Sequence, residues 1–256
     1  LASAKKVDVK IENGQEIGLL EGIPFGIKDV YMLQGTHTTA SSDLLKNYKA
    51  AYTATAIQKL LDAGAIPLVK ENCDAFGHGS SSENTIFGAV KNAINPDLVA
   101  GGSSGGSAVN VSKDCTVFSI GGDTGGSIRQ PAGYNKVYGF KPTYGRISRY
   151  GLMAYASSTD CVGPIAKSLE DVRIVLNVMS GKDTRDQTSY VSEAISADLK
   201  SSGIKTVGYY KNFIENDAIS IEIKADFLAT LEKIKAQGIA VKALDFFNTD
   251  ILVSTY

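Results

Sequence analysis

Apolar and polar residues alternate over residues 22–30, with Ile23, Phe25 and Ile27 set against Pro24, Gly26 and Lys28. That period of two predicts a short strand. Over residues 52–63 the spacing turns helical, placing Ala56, Leu60 and Ala63 on one face, and Gly64 supplies a stop. Residues 65–69 (AIPLV) then read as a buried strand. Further along, residues 168–179 predict an amphipathic helix, with Ser168 as N-cap and Glu170 and Asp171 in the first turn. A strand over 206–210, a long helix over 220–237 closed by Gly238, and a strand over 240–244 complete the pattern. Helix, glycine and strand in this succession indicate a layered α/β chain. No internal repeat or linker divides it, so a single domain over 1–256 is expected. The run 250–255 reads as an unfinished strand, and a missing C-terminal part is expected with it.

Composition narrows the function. A formal charge of −1 offers no footprint for nucleic acid or for an anionic membrane. No apolar stretch reaches the ~18 residues of a spanning helix, so no membrane insertion is expected. Cys73, Cys115 and Cys161 are odd in number, with no CxxC, which points to a reducing compartment and buried small hydrophobes. No metal site is expected. The chain opens on Leu1 and shows no signal-peptide pattern.

Glycine is the unusual component, with 26 residues, many of them between 79 and 151. Such density calls for tight turns or close backbone approach. Two segments stand out: Gly101-Gly-Ser103-Ser-Gly-Gly-Ser107, and Gly121-Gly-Asp-Thr-Gly-Gly-Ser127-Ile-Arg129. Flexible linkers share this composition, but rarely recur within so short a span between apolar, strand-like segments. Neither segment has the Lys of a P-loop or a GxGxxG. The frames centred on Ser103 and Ser104 both fit GxSxG. The hydrolase triad that motif belongs to needs a later histidine, however, and His37 and His78 both precede the serines. A serine nucleophile would then turn to lysine, whose pKa of ~10.4 falls on burial. Lys28 lies in an apolar run that could desolvate it; a surface lysine paired with Asp29 is the plainer alternative.

Four runs carry a resemblance. They are GIPFGIKDV (22–30), GGSSGGSAV (101–109), GGDTGGSIRQPA (121–132) and GFKPTYGRISRYGLMAYASSTDCVGP (139–164). Together they are similar to the amidase signature family. The resemblance implies an α/β fold with a mixed central β-sheet flanked by helices on both faces. It also implies a Ser–cis-Ser–Lys triad: Ser127 as nucleophile, Ser103 in a cis peptide bond, and Lys28 as base. Backbone N–H groups of Thr124, Gly125, Gly126 and Ser127 would form the oxyanion hole. Asp123 and Arg129 read as a structural ion pair. His78, Gly79 and Thr124 are the candidate substrate contacts, although a plain polar loop histidine is the alternative for His78.

Within the family, the runs 71–92 and 141–158 resemble the A subunits of glutamyl-tRNA(Gln) amidotransferases. That likeness implies a glutaminase passing ammonia to the B subunit of such a complex, which would also hold a small accessory subunit. ATP and Mg2+ would belong to the partner, and tRNA would be met through it. A stand-alone amidase on a small or fatty amide and a non-catalytic scaffold are the competing readings. The mitochondrial matrix is the expected compartment, with bacterial cytoplasm as the alternative.

Overall fold

A computed structural model describes residues 1–195, 203–246 and 251. Backbone packing divides the chain into two compact units, Leu1–Ala197 and Asp198–Tyr256, where the sequence pattern marked no boundary. The 250–255 run falls outside the described residues except for Ile251.

The first unit holds a five-stranded mixed sheet in the order β2-β1-β3-β5-β4, built from β1 (Pro24–Lys28), β2 (Ile66–Glu71), β3 (Phe118–Asp123), β4 (Tyr138–Gly139) and β5 (Cys161–Ala166). β1 runs parallel to β2 and β3, while β5 is antiparallel to both β3 and β4. Helices α1 (Ala2–Glu12), α2 (Thr55–Asp62), α3 (Gly105–Ser112), α4 (Arg129–Tyr134) and α5 (Leu169–Met179) complete it.

Alternation along the strands sorts two cores. Phe25 and Ile27 of β1, Phe118 and Ile120 of β3, and Val162 and Ala166 of β5 meet Ile57 and Leu60 of α2 and Val172, Val175, Leu176 and Met179 of α5. The rings of Phe25 and Phe118 stack at 5.2 Å. Ile165 belongs to a second, smaller core with Ala108 and Val111 of α3 and Ile128 and Ala132 around α4. Helices thus cover both faces, as the resemblance implied.

The smaller core explains much of the glycine. A Cβ on Gly121 would lie 2.9 Å from the Ile128 side chain, and one on Gly106 would lie 2.4 Å from the Asn72 carbonyl oxygen. Only residues without a Cβ let α3 and the 124–128 turn sit this close to the strands.

Local signals from the sequence hold at most ends. Ser168 caps α5 by accepting the Asp171 N–H at 3.0 Å, and Gly64 follows α2 at φ +83°. One strand differs: β2 is half exposed, with Leu68 and Val69 open to solvent. Its partner among the described strands is β1 alone, so it forms an edge and one face of its apolar run stays uncovered. Cys73 and Cys161 are buried free thiols as expected; Cys115 is exposed, because it falls in the turn after α3.

The second unit pairs β6 (Thr206–Tyr210) parallel to β7 (Ala240–Leu244) and contains α6 (Lys211–Glu215) and α7 (Ile221–Ala236). Ser220 caps α7, and Tyr209 packs edge-on against Phe227.

The central strand should dominate stability. Ile120→Ala is expected to lower unfolding free energy by about 2–5 kcal/mol. Leu169→Ala, at a position 64% exposed, should stay within about 0.5 kcal/mol of the parent. Denaturant titration of both variants checks this.

Candidate active site

Parallel β1 and β3 deliver their C-terminal ends to the same edge of the sheet. Register pairs Ile27 with Ile120, so Lys28, the last residue of β1, comes beside Gly121 and Gly122. The chain leaves β3 at Asp123 and makes the 124–128 turn into α4, which carries Ser127. The 101–104 turn reaches the same place from the N-terminal end of α3 and carries Ser103. Three segments far apart in sequence converge because two parallel strands end together.

Lys28 is 2% exposed, and its Nζ donates to Ser103 Oγ at 2.6 Å and to the Gly122 carbonyl at 3.4 Å. The Asp29 alternative for this lysine fails: Asp29 pairs with Lys70 at 2.6 Å. The Gly102–Ser103 peptide bond is cis, as the resemblance implied. Burial lowers the Lys28 pKa from its ordinary value, against an opposing pull from Cys73, Asp74, Asp123 and Asp160. Cys73 is itself pushed up by burial and remains a neutral thiol near neutrality. Tyr31, buried beside the lysine, donates its hydroxyl to the Gly121 carbonyl at 2.7 Å.

Ser127 is 8% exposed, and its carbonyl accepts the Ser104 N–H at 3.2 Å. This bond ties the two serine-bearing turns together through the backbone. Among the described residues no hydrogen bond joins Ser127 Oγ to Ser103.

One of the four N–H groups named for the oxyanion hole is bonded within its own turn. Gly126 donates its N–H to Asp123 Oδ1 at 2.8 Å, so it is already engaged. The N–H groups of Thr124, Gly125 and Ser127 have no such partner among the described residues. Asp123 also accepts the Ile128 N–H at 3.1 Å and a two-pronged contact from Arg129, with Nε and Nη2 each at 3.0 Å. Burial alone would raise the Asp123 pKa, but Arg129 and the backbone N–H groups outweigh it and hold the carboxyl below its usual range. The ion pair therefore braces the 124–128 turn, as its flanking position suggested.

A pocket opens beside Lys28 and Ser103, lined also by Phe76, Thr124, Leu152, Tyr155 and Asp160. Thr124 Oγ1 donates to Asp160 Oδ1 at 2.6 Å. Of the three candidate substrate contacts, Thr124 alone lines this pocket. His78 is exposed and lies against Tyr155, ring centroids 3.8 Å apart, so it reaches the pocket only through that ring. Gly79 is exposed and packs against Asp74. The neighbouring Phe76 and Gly77 take the lining positions instead, because the 75–77 turn directs them inward. Leu152, Tyr155 and Asp160 carry no individual signal in the sequence, though all three sit within the 139–164 run.

Comparison with known proteins agrees with this geometry. A sequence model of the Amidase family matches residues 1–256. The chain belongs to the amidase family. This amidase is 43% identical over 261 residues to the A subunit of a glutamyl-tRNA(Gln) amidotransferase from Acidobacterium capsulatum, covering all of the present chain and 54% of the relative. A protein of the same name from Nostoc punctiforme is 53% identical over 189 residues, or 74% of the chain. The crystal structure of the corresponding A subunit from Thermotoga maritima superposes with a TM-score of 0.88 at 38% identity, over 94% of this chain and 54% of that one. A peptide amidase from Stenotrophomonas maltophilia superposes at 0.84 with 26% identity, over 99% of this chain and 54% of its own. The amidase chain thus spans about half the length of these relatives. The named relatives are bacterial, which lends the mitochondrial expectation no support. Among the described residues, no helix is long and apolar enough to cross a membrane.

The Asp123–Arg129 brace has a pH signature. Since the folded-state pKa of Asp123 lies below its unfolded value of ~3.9, its stabilisation is complete above that value and is lost as pH falls through the folded one. Asp123→Asn should cost roughly 1–3 kcal/mol near neutrality, and the gap in unfolding midpoint between variant and parent should shrink as pH drops toward about 2. Thermal melts across that range check both.

Proposed function

We propose that this amidase is the glutaminase component of a glutamyl-tRNA(Gln) amidotransferase, with Ser127, Ser103 and Lys28 as its working residues. The observation that carries the catalytic part is the buried 2.6 Å contact between Lys28 Nζ and Ser103 Oγ. A lysine placed there is desolvated, and its neutral amine can take a proton near neutral pH. Ser103 passes its proton to Lys28 and receives one from Ser127, whose oxygen attacks the amide carbon. The tetrahedral oxygen gathers charge opposite the N–H groups of Thr124, Gly125 and Ser127. The relay then returns a proton to the departing nitrogen, which leaves as ammonia, and water resolves the acyl-enzyme by the same route in reverse.

The amidotransferase part rests on likeness to proteins of that name at 41–43% identity over the whole chain. Ammonia would go to the B subunit, in a complex completed by a small accessory subunit. There ATP and Mg2+ would activate glutamate carried on tRNA, which this near-neutral chain would meet through its partner. The bacterial relatives favour the bacterial cytoplasm as its compartment over the mitochondrial matrix.

Ser127→Ala should reduce ammonia release from glutamine by at least about 10³-fold while leaving the unfolding transition in place. Unchanged hydrolysis would remove Ser127 from its role. Release from glutamine that rises when the B subunit, tRNA and ATP are added supports the amidotransferase reading. Full activity on simple amides with no partner present would replace it with a stand-alone amidase.

A further inference from the structure

Asp74 follows β2 and is 1% exposed, yet no lysine or arginine among the described residues lies within ion-pair distance of it. Its carboxylate is met by backbone N–H groups: Ser82 donates to Oδ2 at 2.9 Å and Asn84 to Oδ1 at 3.3 Å. Its own N–H donates to the Ser103 carbonyl at 3.3 Å. Two glycines make room for it. A Cβ on Gly102 would fall 2.2 Å from Oδ2, and one on Gly79 would fall 2.5 Å from Oδ1. A buried anion met mainly by peptide dipoles keeps its field within the protein interior, where it is weakly screened.

We infer that Asp74 is a positioning residue of the site, holding the Gly102–Ser103 turn against the 79–84 loop and supplying negative potential to Lys28. The claim rests on the Ser127–Ser103–Lys28 reading above. Groups facing Lys28 come from every segment around it: Cys73 and Asp74 after β2, Asp123 at the end of β3, Asp160 before β5, and the phenol of Tyr31. Cys73 and Tyr31 are held neutral by burial, and Asp123 is committed to Arg129. Asp160 is occupied by Thr124 Oγ1 and by the N–H groups of Tyr155 and Ala156. Asp74 is thus the one residue in this set whose carboxylate is held by the 79–84 loop while its own N–H donates to the Ser103 carbonyl. A negative charge favours the ammonium form of Lys28, in opposition to burial. Removing it should lower the pH at which the lysine becomes an effective base.

The test is the pH dependence of Ser127 modification by phenylmethanesulfonyl fluoride, followed by mass spectrometry in the parent, Asp74→Asn and Asp74→Ser. Both variants remove the charge but keep an oxygen acceptor for the loop. The acid-side midpoint should move down by about one pH unit in either variant. A purely structural role would lower the labelling rate without moving the midpoint, and that result overturns the inference. So would failure of both variants to fold, since Asp74 would then serve the fold and not the site. Absence of Ser127 labelling in the parent would instead overturn the catalytic reading beneath it.

Discussion

The site depends on keeping a lysine amine out of water. Lys28 is among the largest fully buried side chains of the protein, in company with Phe25, Tyr31 and Phe118. Moving an ammonium into such surroundings is expensive, and deprotonation is the usual escape. The same burial that would destabilise a charged lysine makes a neutral one useful. Sheet topology makes the arrangement possible, since a lysine at the end of a central strand has β2 on one side and β3 on the other. An edge strand such as β2 would leave its side chains half in solvent, as Leu68 and Val69 show.

Close backbone approach is the second constraint, and it follows from the first. Ser103 Oγ can stand 2.6 Å from Lys28 Nζ only if the turn leading into α3 descends onto the sheet. The α3 helix achieves this by starting on Gly105, Gly106, Ser107 and Ala108, all buried. The cost is a small apolar core on that face, with few large side chains to stabilise it. The opposite face compensates with Phe25, Phe118, Ile57, Leu60 and Met179. Stability and chemistry are therefore divided between the two faces of one sheet.

This division governs how much of the molecule can be read from its residues. Elements that fill the larger core announce themselves by periodicity, and β1, α2 and α5 are legible close to their true bounds. The α4 helix is not, because RQPAGY has neither helical period nor length. Its place is set by contact with Gly139 and by its N-terminal turn, which are tertiary facts. The α1 helix lacks any buried residue, so its pattern carries no core-facing stripe to detect. The proposed triad positions are named by family likeness; histidine shortage alone points to lysine without choosing Lys28. Hydrogen-bond competition is invisible in sequence: the TGGS stretch at 124–127 displays four N–H groups, and only folding reveals that Asp123 takes the one on Gly126. His78 and Gly79 mark the correct loop, but a left-handed turn at Phe76 decides which of its residues face the pocket.

The carboxylates around the lysine show how such a site holds several buried anions without collapse. Each receives a different kind of compensation. Asp123 has the guanidinium of Arg129 together with backbone N–H groups, which offset part of its charge. Asp160 is met by a threonine hydroxyl and two backbone N–H groups of the 155–156 turn. Dipoles of this kind solvate an anion without cancelling its net charge, so the lysine still feels it. Burial and residual negative potential thus act on Lys28 in opposite directions. Burial without nearby anions would favour a neutral amine too weakly basic to accept a proton. Anions without burial would hold it permanently as ammonium. Both act on Lys28, and the 139–164 run supplies one of the anions by placing Asp160 just before β5.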